Sequence, residues 1–471
     1  MAKVLLIDPP SPKGLTILRT LGNIGTSKAD IKWPPYDLMV LGGLFRKNDI
    51  HDFKIIDANN LRIAYPELEK IIQREAPEFV VFLLSRNGMN YDLQLPKMVK
   101  KLNPKTKTIA IGLSIRTIGN LDEVLEKTPE LDIIVYSWAE IPVLNIVKST
   151  PEAEVDGIYW KTGGKVIKNK PQKPVYSNFG IPAHDKVPLE IYRDPLTEKR
   201  PMSCVRFSIG CIGSCRFCPT VPFQRPVLFR DVENVIDELT FLKALGVKEI
   251  KFFDCTFSND QLYAVKLLTR MIEEKFGFAW ICDERADSVN PPLLDLMKKA
   301  GCRWIMLGAD SSSQLILDNL NKRETVEQIE QAVKWIKDMG IKLHLYATFG
   351  HPDESMITMR NTIEWIKKMD PDMASFGIIT PVPGTEFYDF LTSKGYLKEN
   401  ISLESFDPVM EPVYEYPWLS SKKIHEMSRA GYMEFYLRPK FIFKRLSNVS
   451  NWRDEFSNAM MFFRTYVRGR K

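Results

Sequence analysis

Residues 205–219 read Val205-Arg206-Phe207-Ser208-Ile209-Gly210-Cys211-Ile212-Gly213-Ser214-Cys215-Arg216-Phe217-Cys218-Pro219. A strand-forming run gives way at Gly210 to three cysteines spaced C-x3-C-x2-C. Three thiolates converging from one short loop suit an iron–sulfur cluster. A four-iron cluster has four corners, so three cysteines leave one iron open. A structural zinc site wants a fourth close ligand, and no Cys or His lies within the next thirty residues. Gly210 and Gly213 let the backbone approach a bulky group. The plain alternative is three thiols that merely pack. Buried cysteines rarely bunch three in eight residues with glycines between them.

Around this loop lies a chain of 471 residues, too long for one ordinary domain. No run of eighteen apolar residues occurs, so no transmembrane helix is expected. Met1–Asp8 reads as a strand, not as a signal peptide. All seven cysteines fall between Cys204 and Cys302, which argues against a disulfide framework and for a reducing cytoplasm. A net charge of +6 does not by itself suggest nucleic acid.

The loop sits early in a segment, 201–400, where strands are expected to end near Ile209, Asp254, Cys282, Gly308, Phe349 and Ile379. Amphipathic helices separate them. One places Val232, Val235, Ile236, Leu239 and Leu242 on one face and stops at Gly246. Another runs Val326–Met339 and stops at Gly340. Six strand–helix units predict a partial (β/α)6 barrel, whose site belongs at the carboxyl ends of the strands. His351, followed by proline in a tight turn, reads as a structural imidazole or a general base. Cys255 and Cys282, at strand ends, read as small buried apolar residues or reactive thiols.

Residues 1–145 predict a separate doubly wound α/β domain. Strands are expected at Val4–Asp8, Phe53–Asp57, Val80–Leu84, Thr108–Ile111 and Ile133–Val135. Helices are expected at Tyr36–Arg46, Leu68–Gln73, Asp92–Leu102 and Leu121–Lys127, and a long polar loop follows the first strand. Apolar strands alternating with helices mean a parallel sheet covered on both faces. Its ligand edge carries Asp8-Pro9-Pro10, Ser85-Arg86-Asn87-Gly88, Gly112-Leu113-Ser114 and Ser137-Trp138-Ala139-Glu140. No G-x-G-x-x-G is present, so a dinucleotide is disfavoured. Residues 146–200 are a proline-spaced connector with a hairpin around Thr162-Gly163-Gly164. In the helical region 401–471, Met427–Leu446 has helical spacing. From Tyr436 onward nine Lys/Arg face two acids, with aromatics interleaved. That pattern reads as a cap with solvated bases, or as a face for anionic lipid or an apolar substrate.

The cysteine spacing resembles the radical S-adenosylmethionine (SAM) superfamily. The resemblance implies a [4Fe–4S] cluster on Cys211, Cys215 and Cys218. Its open iron holds SAM's amino and carboxylate groups, and electron transfer cleaves SAM to a 5′-deoxyadenosyl radical. The strand ends resemble that family's motifs in order. Phe252–Phe257 resembles its acidic segment, with Asp254 at the SAM ammonium. Cys282–Asp287 resembles the segment whose arginine, here Arg285, approaches the SAM carboxylate. Leu307–Ser313 resembles Gly-x-Glu-Ser-Gly-Ser, with Asp310 for glutamate, Ser311, and Ser312 for glycine. Phe349–Glu354 resembles Gly-Leu-Pro-Gly-Glu around Gly350, with His351 and Asp353 as departures. Thr380–Thr385 matches the sixth-strand turn.

The α/β domain before the triplet resembles the cobalamin-binding domain of cobalamin-dependent members, through Pro34-Pro35-Tyr36, Leu41-Gly42-Gly43-Leu44 and Ile56-Asp57-Ala58. It implies cobalamin near Ser85, Gly112 and Ser137. The D-x-H-x-x-G histidine is missing. Asp49-Ile50-His51 comes near it, but Lys54 stands where glycine is needed and His51 lies in the turn before a strand. Cobalamin with no histidine on cobalt is therefore implied, or a cobalamin-type fold without its cofactor. The segments at Gly112–Arg116 and Ser137–Glu140 also depart from the family's glycine-rich stretches. The function implied is radical modification of an unactivated carbon, foremost methyl transfer. Alternatives are an oxidoreductase or cyclase forming a ring or C–C bond, on a lipid or isoprenoid among other substrates, and a cobalamin-binding sensor. A methylthiotransferase is disfavoured, since the first domain has no cysteines for a second cluster. The expected partners are a flavodoxin- or ferredoxin-type reductant and a small-molecule or lipid substrate. No nucleic acid is expected, and the compartment is the cytoplasm with peripheral membrane contact through the tail.

Overall fold

A computed structural model describes residues 3–13, 15–20, 25–27, 31–176, 179–399, 401, 405–406 and 410–446. The chain forms two compact units. The first is Met1–Ser27, Ile31–Ile209 and Arg225–Phe253; the second is Lys28–Asp30, Gly210–Gln224 and Asp254–Lys471.

The first unit opens with β1 (Val4–Asp8), the short pair β2 (Ile17–Leu18) and β3 (Gly25–Thr26), α1 (Tyr36–Lys47), β4 (Phe53–Asp57), α2 (Tyr65–Glu75) and β5 (Phe79–Leu83). It continues through α3 (Met89–Asp92), α4 (Gln94–Leu102), β6 (Lys107–Ile111), α5 (Leu121–Lys127), β7 (Ile133–Val135), α6 (Glu140–Val147), β8 (Ile158–Thr162) and β9 (Lys165–Lys168). The sheet order is β4-β1-β5-β6-β7-β8-β9. The first five strands are parallel; the hairpin β8–β9 adds two antiparallel ones. Both faces of β1 and β5 are buried, as their unbroken apolar runs require. Each such Val, Leu or Ile taken from water contributes about 1.5–3 kcal/mol.

The expected polar loop after β1 holds the small β2–β3 pair, and Arg19 beside it is buried. Arg19 Nη1 donates to Asp8 Oδ1 at 2.9 Å, and Nη2 donates to Asp92 Oδ1 at 2.6 Å. It also donates to the carbonyls of Pro9 and Pro10. The helix expected at Asp92–Leu102 is broken at Leu93, because Pro96 has no N–H for the Asp92 carbonyl, and the Asp92 side chain is turned in to Arg19 and to the Ser85 hydroxyl.

The remaining elements of the first unit are β10 (Met202–Val205), β11 (Ser208–Ile209), β12 (Leu228–Phe229), α8 (Val232–Ala244) and β13 (Glu249–Phe252); α7 (Thr220–Phe223), between β11 and β12, belongs to the second. The strand expected to end near Ile209 stops at Val205. Ser208–Ile209 instead pairs antiparallel with Leu228–Phe229. Under them lies a fully buried polar set: His184 Nε2 is 2.8 Å from Glu238 Oε1, and Arg230 Nη1 donates to Glu238 Oε2 at 2.5 Å.

The second unit carries α9 (Gln261–Glu273), β14 (Ala279–Glu284), α10 (Pro291–Lys299), β15 (Cys302–Asp310), α11 (Gln314–Asn319), α12 (Val326–Asp338) and β16 (Lys342–Phe349). It ends with α13 (Met356–Met369), β17 (Met373–Ile378), α14 (Glu386–Lys394), α15 (Ser421–Tyr436) and α16 (Pro439–Leu446). Strands β14 to β17 are parallel neighbours in sequence order. With the parallel pair β10–β13 of the first unit they make six parallel strands, the number expected of the partial barrel. α12 and α13 begin with reciprocal capping boxes at Thr325 and Ser355. The expected tail helix is two helices, broken before Pro439, which has no N–H for a helix interior and suits a helix start. The basic aromatic stretch 447–471 lies outside the described residues.

Among the described residues Arg19 is the cation that pairs with Asp8 and Asp92. Arg19→Met should therefore destabilise the full chain by about 3–5 kcal/mol, the usual cost of breaking a buried pair on one side. Urea unfolding measures it. A loss below about 1 kcal/mol, the scale of a surface pair, would show that the bridge carries no such share.

Candidate functional site

In the second unit the loop Gly210–Cys218 carries Cys211, Cys215 and Cys218 as partly exposed free thiols. Gly213 N–H donates to Cys211 Sγ at 3.3 Å, and Thr256 Oγ1 lies 3.3 Å from the same sulfur. A Cβ at Gly213 would stand 2.7 Å from Arg285 Nη1 and 3.3 Å from Cys211 Sγ, so only glycine leaves this space open. Asn259 fastens the start of the loop: its Oδ1 accepts from Ile212 N–H and its Nδ2 donates to Gly210 O. Burial pushes the Cys215 thiol up to about 12, with Lys322 and Arg285 opposing the rise. Burial also raises Cys218. Among the described residues no three of His, Cys, Asp or Glu surround a single ion. A cubane takes each thiolate on a different iron, so its sulfurs stand farther apart than the ligands of one ion. Three free thiols on a glycine-relieved loop fit a cluster and do not fit a closed zinc site.

Behind the loop lies a charged shell. Arg285 donates to both carboxylate oxygens of Asp287 at 2.9 and 2.8 Å and to Lys322 O at 2.8 Å; its Nη1 is 4.0 Å from Cys215 Sγ. Lys322, only 4 % exposed, donates to Asp310 Oδ2 at 2.5 Å and lies 3.1 Å from Glu324 Oε2. Thr348 Oγ1 donates to Asp310 Oδ1 at 2.9 Å. His351 Nε2 is 3.0 Å from the Thr348 carbonyl, which can only accept, so the proton sits on Nε2. Burial lowers His351 to about 4, and the ring is neutral.

The other expected residues take varied places. Asp254 is buried just beyond β13. Ser311 is buried and its hydroxyl accepts from Ser313 N–H at the start of α11. Gly350, at φ +89°, donates its N–H to Glu354 Oε2, and its carbonyl accepts from the Tyr414 and Tyr416 hydroxyls. A Cβ there would strike Tyr414 Oη at 2.1 Å. Cys282 is fully buried within β14, where burial and the neighbouring Cys302 raise its thiol well above the ordinary value, while Cys255 is exposed.

In the first unit, Gly112 and Ser137 come together in a pocket at the carboxyl ends of β6 and β7. It encloses about 430 Å³ of atom-free space, part of it open to solvent. Trp138 and Arg116 line it as well, the guanidinium 4.4 Å from the indole centroid. Burial lowers Arg116 to about 10. Asp37 and Arg206, an ion pair at 3.2 Å, close the far side. Ser85 is not part of this lining, because its N–H and hydroxyl donate to Asp92. No histidine lines the pocket. His51, with a side chain 65 % exposed, precedes β4 and so lies at the amino end of the sheet.

Lys322, Glu324 and Arg19 were not legible beforehand. Asn321-Lys322-Arg323-Glu324 reads as a solvated charge run, and only the fold shows that two of its four side chains point inward.

Residues 205–366 match the model of the Radical SAM superfamily. The chain is 29% identical over 94% of its length, and 94% of the relative, to an uncharacterized methyltransferase of Pyrococcus horikoshii. It is 24% identical over 87% of its length to an anaerobic magnesium-protoporphyrin IX monomethyl ester cyclase of Rubrivivax gelatinosus, covering 75% of it. Among solved structures, the cobalamin-dependent SAM radical enzyme OxsB, with aqua-cobalamin and SAM bound, aligns over 98% of this chain and 72% of that one (TM-score 0.73, 15% identity). The radical SAM methyltransferase TsrM of Kitasatospora setae, with cobalamin and [4Fe–4S] bound, covers 84% of this chain and 75% of that one (TM-score 0.68, 16% identity). These two likenesses establish the fold. Residues 205–366 therefore form a radical SAM domain, which implies a [4Fe–4S] cluster and SAM.

The turn after β16 yields a pH test. Glu354 is fully buried, and burial raises its carboxyl from 4.5 to about 8 against the Gly350 and His351 N–H donors. Between those values the folded chain holds a proton that the unfolded chain has lost, so stability falls as pH rises through the window. Glu284, raised likewise to about 8, contributes with the same sign. Glu354→Gln should flatten part of this fall. The measurement is the urea midpoint at pH 5 and pH 8.5. An unchanged difference in the variant would assign the slope elsewhere.

Proposed function

We propose that this radical SAM enzyme transfers a methyl group to an unactivated carbon of a small molecule, using cobalamin held without a histidine ligand. In this reading Cys211, Cys215 and Cys218 hold the cluster, and the division is the sequence-based one: cobalamin domain 1–145, connector 146–200, barrel 201–400 and helical region 401–471. One observation carries it. A chain with the C-x3-C-x2-C loop also has, at the carboxyl edge of its first sheet, a histidine-free pocket built on Gly112 and Ser137. Its fold follows OxsB over almost its whole length. The relative named a methyltransferase over 94% of the chain supports the reaction type.

When bound, the cluster and SAM supply a carbon radical that takes hydrogen from a C–H bond, and cobalamin supplies a transferable methyl group. The chain's residues position and shield. Gly213 keeps space beside Cys211, and Thr256 and the Gly213 N–H stand at its sulfur. Asp254, Arg285, Asp310, Ser311 and Gly350 form the wall that orients SAM. Most of their polar atoms are held within the chain, so they act as a rigid frame. Gly112, Ser137, Trp138 and Arg116 receive the edge of the cobalamin. A second reading, ring closure without methylation, is favoured by the cyclase relative alone.

Anaerobic reconstitution tests the proposal. The protein should take up four irons per chain, cleave SAM under reducing conditions, and pass label from methyl-labelled SAM to a product in cell extract. The triple Cys→Ala variant should lose the absorbance and the cleavage. SAM cleavage with no labelled product would favour the cyclase reading; an intact cluster in the triple variant would remove the ligand assignment.

Peripheral membrane contact is proposed for the tail alone. α16 exposes Ile442 and Phe443, 42 % and 77 % accessible, and Leu437 before it is exposed as well. Tyr436 bonds Ala374 near the start of β17, and Lys440 pairs with Asp370 at the end of α13. This helix therefore lies at the amino end of the second unit's strands, opposite the thiols. A bilayer met there would tether the enzyme without feeding its site. Full-length protein should co-sediment with anionic vesicles at low salt and lose this with Phe443→Asp. Equal sedimentation of both would locate the contact elsewhere.

A further inference from the structure

The cluster loop rests on a turn that no motif marks. Ser214 Oγ donates to Asn321 O at 3.2 Å and Asn321 Nδ2 donates to Ser214 O at 3.2 Å. Arg216 N–H donates to Leu320 O at 2.9 Å, and Arg216 Nη1 donates to Asn319 O at 3.1 Å. Four hydrogen bonds thus tie residues 214–216 to residues 319–321, and the next residue is Lys322. Its two neighbours both sit in the left-handed region, Asn321 at φ +54° and Arg323 at φ +61°. Its partner Asp310 does as well, at φ +54°. Non-glycine residues gather in that region where surrounding structure forces them, often at functional sites. Here three of them serve one ion pair. Gly308 completes the arrangement: a Cβ there would stand 3.2 Å from Lys322 Nζ.

We infer that Lys322 is an electrostatic positioning residue whose buried ammonium raises the reduction potential of the cluster held by the adjacent loop. The inference rests on the cluster assignment above. Reduction adds one negative charge to the cluster. A fixed cation close by in a poorly screened site favours that change, and a fixed carboxylate opposes it. Lys322 follows directly on the turn that those four hydrogen bonds tie to the loop, and Arg285, which donates to the Lys322 carbonyl at 2.8 Å, has its Nη1 4.0 Å from Cys215 Sγ. Among the described residues Lys322 is the cation that pairs directly with Asp310, so its removal leaves that carboxylate uncompensated near the thiols, while Glu324 keeps Arg285 at 3.4 Å. Two opposite perturbations follow. Lys322→Met should make the cluster harder to reduce. Asp310→Asn should make it easier, because a negative charge leaves and the ammonium stays. Lys322→Arg keeps the charge and should resemble the parent.

The test is a redox titration of anaerobically reconstituted full-length protein without SAM, read by electron paramagnetic resonance. Lys322→Met should lower the reduced-to-oxidised ratio at fixed potential roughly tenfold, about 59 mV for one electron. Asp310→Asn should raise it in the opposite sense. General loosening of the loop would move both variants the same way, and that result, or shifts below twofold in both, would overturn the inference. Should Lys322→Met fail to load iron, Asp310→Asn decides alone: a rise supports the assignment and no rise overturns it. Iron content and absorbance of the parent protein test the cluster assignment separately, so the two ideas fail by different readouts.

Discussion

A parallel strand buried on both faces can carry chemistry only where it stops. Its side chains point into packed layers, its N–H and C=O groups are consumed by its neighbours, and water is excluded along its length. This constraint orders both units. In the first, the residues at or beyond the carboxyl ends of β1, β5, β6 and β7 include Asp8, Ser85, Gly112 and Ser137. In the second, the residues at or beyond the carboxyl ends of β14, β15 and β16 are Arg285, Asp310 and Gly350. The cysteine loop gives the second set its purpose, since three sulfurs need a wall that fixes them before any ligand arrives.

The wall is made by burying charge, which is costly unless every charge is paired and hydrogen-bonded. Three connected sets among the described residues show it: Arg19 with Asp8 and Asp92; Arg230 and His184 with Glu238; Lys322 with Asp310 and Glu324. The second set imitates a hydrolytic triad, because His184 Nδ1 lies 2.9 Å from Ser203 Oγ while Nε2 meets Glu238. Ser203 is fully buried in β10 and no substrate carbonyl can reach it, so the resemblance is geometric only. The first set occupies the edge between β1 and β5, where the strand order reverses and doubly wound sheets usually take ligands. Arg19 and Asp8 line a small cavity there, and a second pocket lies at the ends of β6 and β7.

Local signals were legible where one residue type acts alone. The thiol spacing, the glycines at 210 and 213 and the apolar strands announce themselves, so both folds and the cysteine-bearing loop could be read from the sequence. Strand ends shifted by a few residues where an extra pairing intervened, as at Ser208–Ile209. Partners separated far along the chain left no trace. Nothing in Leu18-Arg19-Thr20 points to Asp92, and nothing in Asn321–Glu324 points to Ser214 or Asp310. Tyr414 and Tyr416 look like tail aromatics, yet both hydroxyls are spent on the carbonyl of Gly350.

The substitution at position 310 shows how such partners change the meaning of a motif. An aspartate is one methylene shorter than the glutamate the family pattern leads one to expect, so its carboxylate stays closer to the strand. Here it is caught there, by Lys322 on one oxygen and the Thr348 hydroxyl on the other. The left-handed backbone at Asp310 and the missing side chain at Gly308 make that capture sterically workable. Burial, the largest single influence, would raise this carboxyl, but the Lys322 ammonium and the hydrogen bonds from Lys322 and Thr348 together hold it below its ordinary range. Its direct effect is on the field around Cys215, and any contact with a bound molecule must be made through a carboxylate whose two oxygens are already engaged.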